Sequence, residues 1–354
     1  MSDHVLRAPL PVNSIQFEQV FRGEYHSLIQ LSKARSNVLD VCVDNDASAE
    51  RRAAVCLTYY ERWTAFIATL PRAVATREFV HFTWTHALFP SLPTYTDQDT
   101  SCVYESVCAG LAVVATQFAL GEYTRAAHIL GRVNSTAAAF EPRFSVPPAR
   151  PGGPFADVLQ QQGDGILAAV AQRPREPAIM APSLRVGAQH VITSFAAFTI
   201  ARSHVRTAPK LAAEHLFAAA REMQLACSVV PRCSELTQSL CRAHAYAYQV
   251  LSVCVMQHQE IGIAIACMQE AVAYARVVGL EEQLQTRLDA LLQRNKVEFA
   301  YQAVPDRANL HISFTEPGTH VQIRRNMDDA LITILGLELP SSLLDEYKEA
   351  VGPQ

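Results

Sequence analysis

Along most of the chain the apolar positions recur at steps of three and four residues, the pattern that places one face of a helix on a core. Over residues 14–43, Phe17, Val20, Phe21, Leu28, Leu31, Val38 and Leu39 follow this step and predict a helix. Over 49–70, Val55, Tyr59, Trp63, Phe66 and Leu70 form one stripe that Pro71 stops, because proline has no N–H to give and crowds the preceding turn. Two further helices are predicted within 101–140, parted at Gly121, and 184–299 is helical again with breaks near Pro209, Pro231, His258 and Gly279. Three stretches depart from the period. Residues 1–12, with Pro9 and Pro11, predict an extended arm or short strand pair, and 79–84 is a short aromatic run. The tail from Pro305 predicts a mixed segment over 310–314 and 321–323, a short helix to Leu335 and a last helix over 340–351.

Eight of the 19 prolines fall within 142–182. The helical pattern resumes on both sides with similar composition, so this is expected to be a proline-rich loop inside one domain spanning 1–354. Leu120-Gly121-Glu122-Tyr123, followed by Ala126-Ala127 and Ile129-Leu130, has the spacing of a tetratricopeptide hairpin, in which small residues let two helices approach. Residues 261–279, with Ala264, Ala266, Ala271, Ala273 and Ala275, look like the second helix of another such hairpin. No strict 34-residue period follows, which leaves an irregular all-α solenoid or a generic alanine-rich bundle.

Composition narrows the function classes. The chain is 49% hydrophobic and 18% charged, with 30 Lys+Arg against 34 Asp+Glu and a net charge of −4, the balance of a soluble globular protein. The apolar run over 107–120 contains Thr116 and Gln117 and is short of the roughly 20 residues a bilayer requires. Met1-Ser2-Asp3-His4 shows no basic start to a secretory signal, and Val351-Gly352-Pro353-Gln354 no prenylation box, so a cytoplasmic chain without a lipid anchor is expected. Nine cysteines without a C-x-x-C pair suit reduced thiols packed as small hydrophobes. Arg324-Arg325 is the strongest basic cluster, and no long Lys/Arg run supports nucleic-acid binding.

The residue types that carry chemistry do not converge. Cys241-x-x-His244 and Cys254-x-x-x-His258 imitate zinc-finger spacing. On one helix, however, the pairs stand roughly 20 Å apart at about 1.5 Å per residue, so one zinc does not bridge them. Glu281-Glu282, Asp328-Asp329 and Asp345-Glu346 are adjacent on helical patterns, where neighbours point apart. No nucleophile elbow, zincin, P-loop or dinucleotide-binding pattern is present. A binding protein without metal or cofactor is expected, rather than an enzyme.

Several segments, read in order, resemble the BRO-one domain, the helical N-terminal domain of the Alix family of ESCRT-associated adaptors. Leu57-Thr58-Tyr59-Tyr60-x-x-Trp63 with Leu70-Pro71 resembles the family's paired-tyrosine helix. Phe82-Thr83-Trp84-Thr85-His86-Ala87 is similar to its F-x-W-x-D-A turn, with His86 replacing the acid. The stretch from Tyr104-Glu105-Ser106 to Leu111 resembles its aromatic-Glu-Lys-small helix, and Lys210-Leu211-Ala212 its K-L-A helix. Phe299-Ala300-Tyr301 before Val304-Pro305, and Leu344-x-x-Tyr347-x-x-x-Val351-Gly352-Pro353, look like its closing signatures.

The resemblance implies a curved, boomerang-like helical solenoid with tetratricopeptide-like central hairpins and a small β element near the termini. It implies a monomeric cytoplasmic adaptor of the endosomal sorting pathway, recruited to endosomes and peripherally associated with their membrane. The partner it implies is the amphipathic C-terminal helix of an ESCRT-III subunit, laid on an apolar patch. Aligned through Lys210-Leu211-Ala212, the three apolar positions of that patch fall at Ser194, Thr207 and Leu211, with Phe195 and Phe198 close by. Only Leu211 keeps the apolar character. Ser194 and Thr207 remove contact area valued at roughly 25 cal/mol per Å². A scaffold of the same fold that has lost ESCRT-III binding is the alternative.

Overall fold

The computed structural model describes residues 5–70 except 22 and 45, 80–138 except 87, 178–306 except 300, and the backbone of 310–315, 321–325 and 330–335. Two small sheets flank an array of helices. In the first, β1 (Leu10–Pro11), β2 (Phe82–His86) and β3 (Tyr95–Asp99) pair antiparallel in that order, with Leu10 opposite Thr85 and Trp84 opposite Asp97. Alternation along β2 sends Phe82, Trp84 and His86 inward, as a period of two requires. His86 bonds Asp97 across the sheet at 2.7 Å and stacks on Tyr95.

The helix predicted over 14–43 is two: α1 (Phe17–Val20) and α2 (Tyr25–Val43). The chain turns extended at Phe21 just ahead of Gly23, where glycine weakens a helix by about 1 kcal/mol. Ser32 of α2 binds the two pieces together, accepting from the Phe17 N–H and donating to Glu18. α3 (Ala49–Thr69) is capped by Ser48, whose hydroxyl accepts from the Arg51 N–H. It packs against α4 (Cys102–Ala119), all of whose residues but Val103 and Ala119 are buried. α4 is long and apolar enough to cross a membrane by composition, but 89% of it is covered by the rest of the fold, which makes it the central core helix. Gly121, at φ +81°, turns the chain into α5 (Tyr123–Ala138). A methyl group on Gly110 would lie 2.3 Å from Val133 and 3.1 Å from the Tyr60 ring, so α3, α4 and α5 meet over a position only glycine fits.

Beneath this packing lies a buried ionic centre. Glu105 of α4 is fully buried and accepts from the Arg35 guanidinium of α2 at 2.8 Å, from the Tyr59 hydroxyl of α3 and from the Trp84 indole of β2 at 2.6 Å. Arg35 also donates to the Asn13 carbonyl and lies over the Trp84 ring. Burial and the Glu105 charge push the Tyr59 phenol well above its usual range, so it stays a donor. The next residue of α4, Ser106, accepts from the Trp63 indole at 2.8 Å.

The second half is a solenoid of antiparallel helices: α6 (Pro182–His204), α7 (Pro209–Val229), α8 (Ser234–Gln257), α9 (Ile261–Val277) and α10 (Glu281–Val297). Alanines 212, 213, 218, 219 and 220 of α7 are all buried, which lets its neighbours approach closely. After α10, Gln302 clips three elements together. It exchanges hydrogen bonds with Asn295, accepts from the Gly262 N–H and donates to the Gln259 carbonyl. Gly262 admits this crossing, since a Cβ there would lie 2.0 Å from the Ala303 carbonyl oxygen.

The closing segment corrects one expectation. Ala330–Leu335 is not a helix but strand β6, parallel to β4 (Leu310–Thr315) and antiparallel to β5 (Val321–Arg325). Its Ile332, Thr333 and Ile334 are β-branched and stiff at χ1, and they suit a pleated ladder better than a helix. The helix expected over 340–351 and most of the 142–182 loop lie outside the described residues.

Two consequences are measurable. Glu105→Ala leaves Arg35 charged and unpaired in the core, and lowers stability by roughly 3–5 kcal/mol, read from the urea midpoint; adding Arg35→Met recovers part of that loss. His215 of α7 has both ring nitrogens buried without a hydrogen-bond partner among the described residues. Burial, and then the neighbouring His204, lower its pKa to about 4. The unfolded chain therefore binds this proton first. Stability is complete above about pH 6.5 and falls as the pH drops toward 4, with a shallower fall in His215→Leu.

Candidate functional site

The candidate surface lies on the first three helices of the solenoid, α6, α7 and α8. Their mutual geometry is set by polar bonds inside an alanine-rich contact. His190 of α6 bonds Glu222 of α7 at 2.7 Å, and Ser194 of α6 donates to the Ala219 carbonyl of α7 at 2.7 Å. His204, in the last turn of α6, stacks over His215 near the start of α7.

The five residues singled out from the sequence separate into an inner and an outer group. Ser194 is 3% exposed and Phe195 5% exposed. The Phe195 ring meets Phe118 edge-on at 4.9 Å and Tyr123 at 5.9 Å, anchoring α6 to α4 and α5. The Ser194 hydroxyl is spent on a helix–helix hydrogen bond, so its polarity has a packing cause. Both residues support the surface from beneath. Phe198, Thr207 and Leu211 are accessible: Phe198 is half-buried, Thr207 exposed on the α6–α7 turn, and Leu211 37% exposed in the first turn of α7.

Phe198 has an aromatic partner that sequence reasoning missed. Tyr246 of α8 meets it edge-on at 5.6 Å. Phe198 also lines, with Ser194, Phe195, Met223, Ser239 and Ala243, a shallow cleft formed by α6, α7 and α8. The cleft holds about 10 Å³, room for no more than a water, so it is not a small-molecule pocket. Tyr246 and Val253 are exposed on the outer face of α8, whereas Ala243, Ala247, Val250 and Cys254 turn inward. A tyrosine on the polar side of an otherwise alanine- and cysteine-lined stripe was the available signal.

Elsewhere the chemistry is sparse. Among the described residues no three His, Cys, Asp or Glu side chains gather as a metal site, and Cys241 and Cys254 are buried in the α8 interface. A wider cleft of about 560 Å³ between α2 and α3 is lined by Leu28, Leu31, Phe66, Glu24 and Arg62. Glu24 there accepts from Ser27, and Arg62 donates to the Gln30 carbonyl.

No family model matches the sequence, and no curated protein matches it. Solved structures match the fold. The structure described as the ALIX BRO1 CHMP4C complex superposes with a TM-score of 0.57 at 14% identity, over 87% of this chain and 92% of that one. ALIX in complex with the SIVmac239 PYKEVTEDL late domain gives 0.58 at 14% identity, over 96% of this chain and 50% of that one. The structure reported as the basis for endosomal targeting by the Bro1 domain gives 0.54 at 12% identity, over 99% and 97%. With near-complete coverage of both chains, these matches give the chain a divergent Bro1-domain fold.

Proposed function

We propose that this protein is a non-enzymatic adaptor that binds the amphipathic C-terminal helix of an ESCRT-III subunit. The observation that carries the reading is the fold match to a Bro1 domain solved with CHMP4C, on a chain whose α6–α8 face offers accessible apolar side chains. The helix would lay its apolar side on Phe198, Tyr246 and Leu211, with Thr207 at the edge and Ser194 and Phe195 holding α6 in place from below. Helix-in-groove binding of this kind needs a few apolar anchors at helical spacing and no catalytic group. The setting is the cytoplasm, with recruitment to endosomes.

A scaffold that keeps the fold and takes another protein partner is the second reading. Thr207 favours it, since an exposed hydroxyl stands where the resemblance places an apolar contact.

A synthetic ESCRT-III C-terminal helix, titrated against the intact chain, separates the two. Phe198→Asp and Leu211→Asp are each expected to weaken binding about tenfold or more, the effect of losing one buried apolar anchor. Unchanged affinity in both folded variants removes the site. No measurable binding by the unaltered chain favours the second reading.

A further inference from the structure

The nine cysteines do not share one environment. In seven of them burial is the leading influence and pushes the thiol up, Cys102, Cys227 and Cys254 to about 11. Buried thiols of this kind are inert. The other two, Cys42 in the last turn of α2 and Cys56 in the second turn of α3, lie with their sulfurs 3.7 Å apart.

The two sulfurs are placed differently. Cys56 is 1% exposed, whereas Cys42 is half-buried beside Val43 and Asp44, which are both exposed. Arg52, one turn ahead of Cys56 on α3, donates from its guanidinium to the Asp44 carbonyl at 2.7 Å, which holds its charge at the end of α2. The hydrogen bond with Cys56 sets the Cys42 thiol below its usual range; partial burial opposes this and the Arg52 charge adds to it. The same hydrogen bond, and then burial, raise the Cys56 thiol. A sulfur that ionises readily and is reachable from solvent thus touches a covered thiol, the arrangement of a peroxide-sensing cysteine and its resolving partner. Packing alone does not account for it, since a small hydrophobe in a helix contact needs neither the arginine nor access to solvent.

We propose that Cys42 and Cys56 form a hydroperoxide-responsive dithiol that closes to an internal disulfide between α2 and α3. The Cys42 thiolate attacks one peroxide oxygen. An S–O bond forms, the O–O bond breaks, and the departing oxygen takes a proton and leaves as water or an alcohol. The Cys56 sulfur then displaces hydroxide from the Cys42 sulfenic acid. The S–S bond forms, the S–O bond breaks, and the hydroxide leaves with the Cys56 proton as water. The two thiols lose two electrons, the peroxide gains them, and a dithiol reductant returns the pair to its starting state. The closed form staples the end of α2 to α3. The pair lies outside the α6–α8 face and does not depend on the peptide reading.

The full reduced chain, treated with hydrogen peroxide, then unfolded, alkylated and cut with trypsin, tests this by mass spectrometry. Arg51 and Arg52 lie between the two cysteines, so trypsin parts them unless they are linked. The expected result is loss of two of the nine alkylatable thiols, recovered as one Cys42–Cys56 cross-linked peptide that dithiothreitol removes. Cys56→Ala should halt the reaction at a Cys42 sulfenic acid, which dimedone labels, and Cys42→Ser should leave Cys56 reduced. Arg52→Gln should slow disulfide formation about threefold or more, because less of Cys42 is thiolate. Cys42 and Cys56 both still reduced after treatment, or either one joined to another cysteine or to a second chain, overturns the proposal. So does a Cys42 driven on to sulfinic acid with Cys56 still reduced, because Cys56 would then not be its resolving partner.

Discussion

A carboxylate buried without water is tolerated only where donors reach it from several directions, and Glu105 forces that condition on the N-terminal half of this fold. Its donors come from α2, α3 and β2, and Arg35 extends the link to the Asn13 backbone ahead of α1. None of these elements can shift by a turn or a strand register without leaving a charge unpaired. Trp63 and Trp84, both fully buried, are held by their indole N–H groups to the same stretch of α4. Tyr59, Trp63, Trp84, Glu105 and Ser106 belong to the very segments whose spelling resembles the Bro1 pattern. The resemblance is carried by residues that assemble the core, which is why it foretells the fold more firmly than the partner.

The second half is organised by the size of its contacts. Alanines along α7, and glycine at positions 187 and 262, bring helices or backbone within distances that any larger side chain would prevent. Larger side chains such as Leu216, Phe217, Leu251 and Ile265 fill the interior beside them, while Tyr246, Val253 and Leu211 stay exposed and Phe198 half-buried.

Charge adds an asymmetry that averages conceal. A net charge of −4 argues against attraction to an acidic surface when it is spread over the molecule, yet the α6–α7 turn is locally cationic because its only near acid along the chain, Glu214, is buried. Screening confines such fields to about 8–10 Å in physiological salt, so the local turn and not the net charge sets the field next to it. The Phe198–Tyr246 contact and the α6–α7 turn belong to the same helical layer.

Helical periodicity, proline stops and the Gly121 turn were legible in the sequence because they depend on local backbone preference, and so was the Bro1-like order of motifs. The strand at Ala330–Leu335 was not, since its pairing partners are set by contacts distant in sequence. The candidate site was half legible: alignment through Lys210-Leu211-Ala212 reached α6 and α7. Only tertiary packing decided that Ser194 and Phe195 face inward, and that Tyr246, 48 residues beyond Phe198, meets it. The period of a helix says which residues share a face. Which face becomes the outside depends on how many neighbours surround that helix, and that number exists only in the folded solenoid.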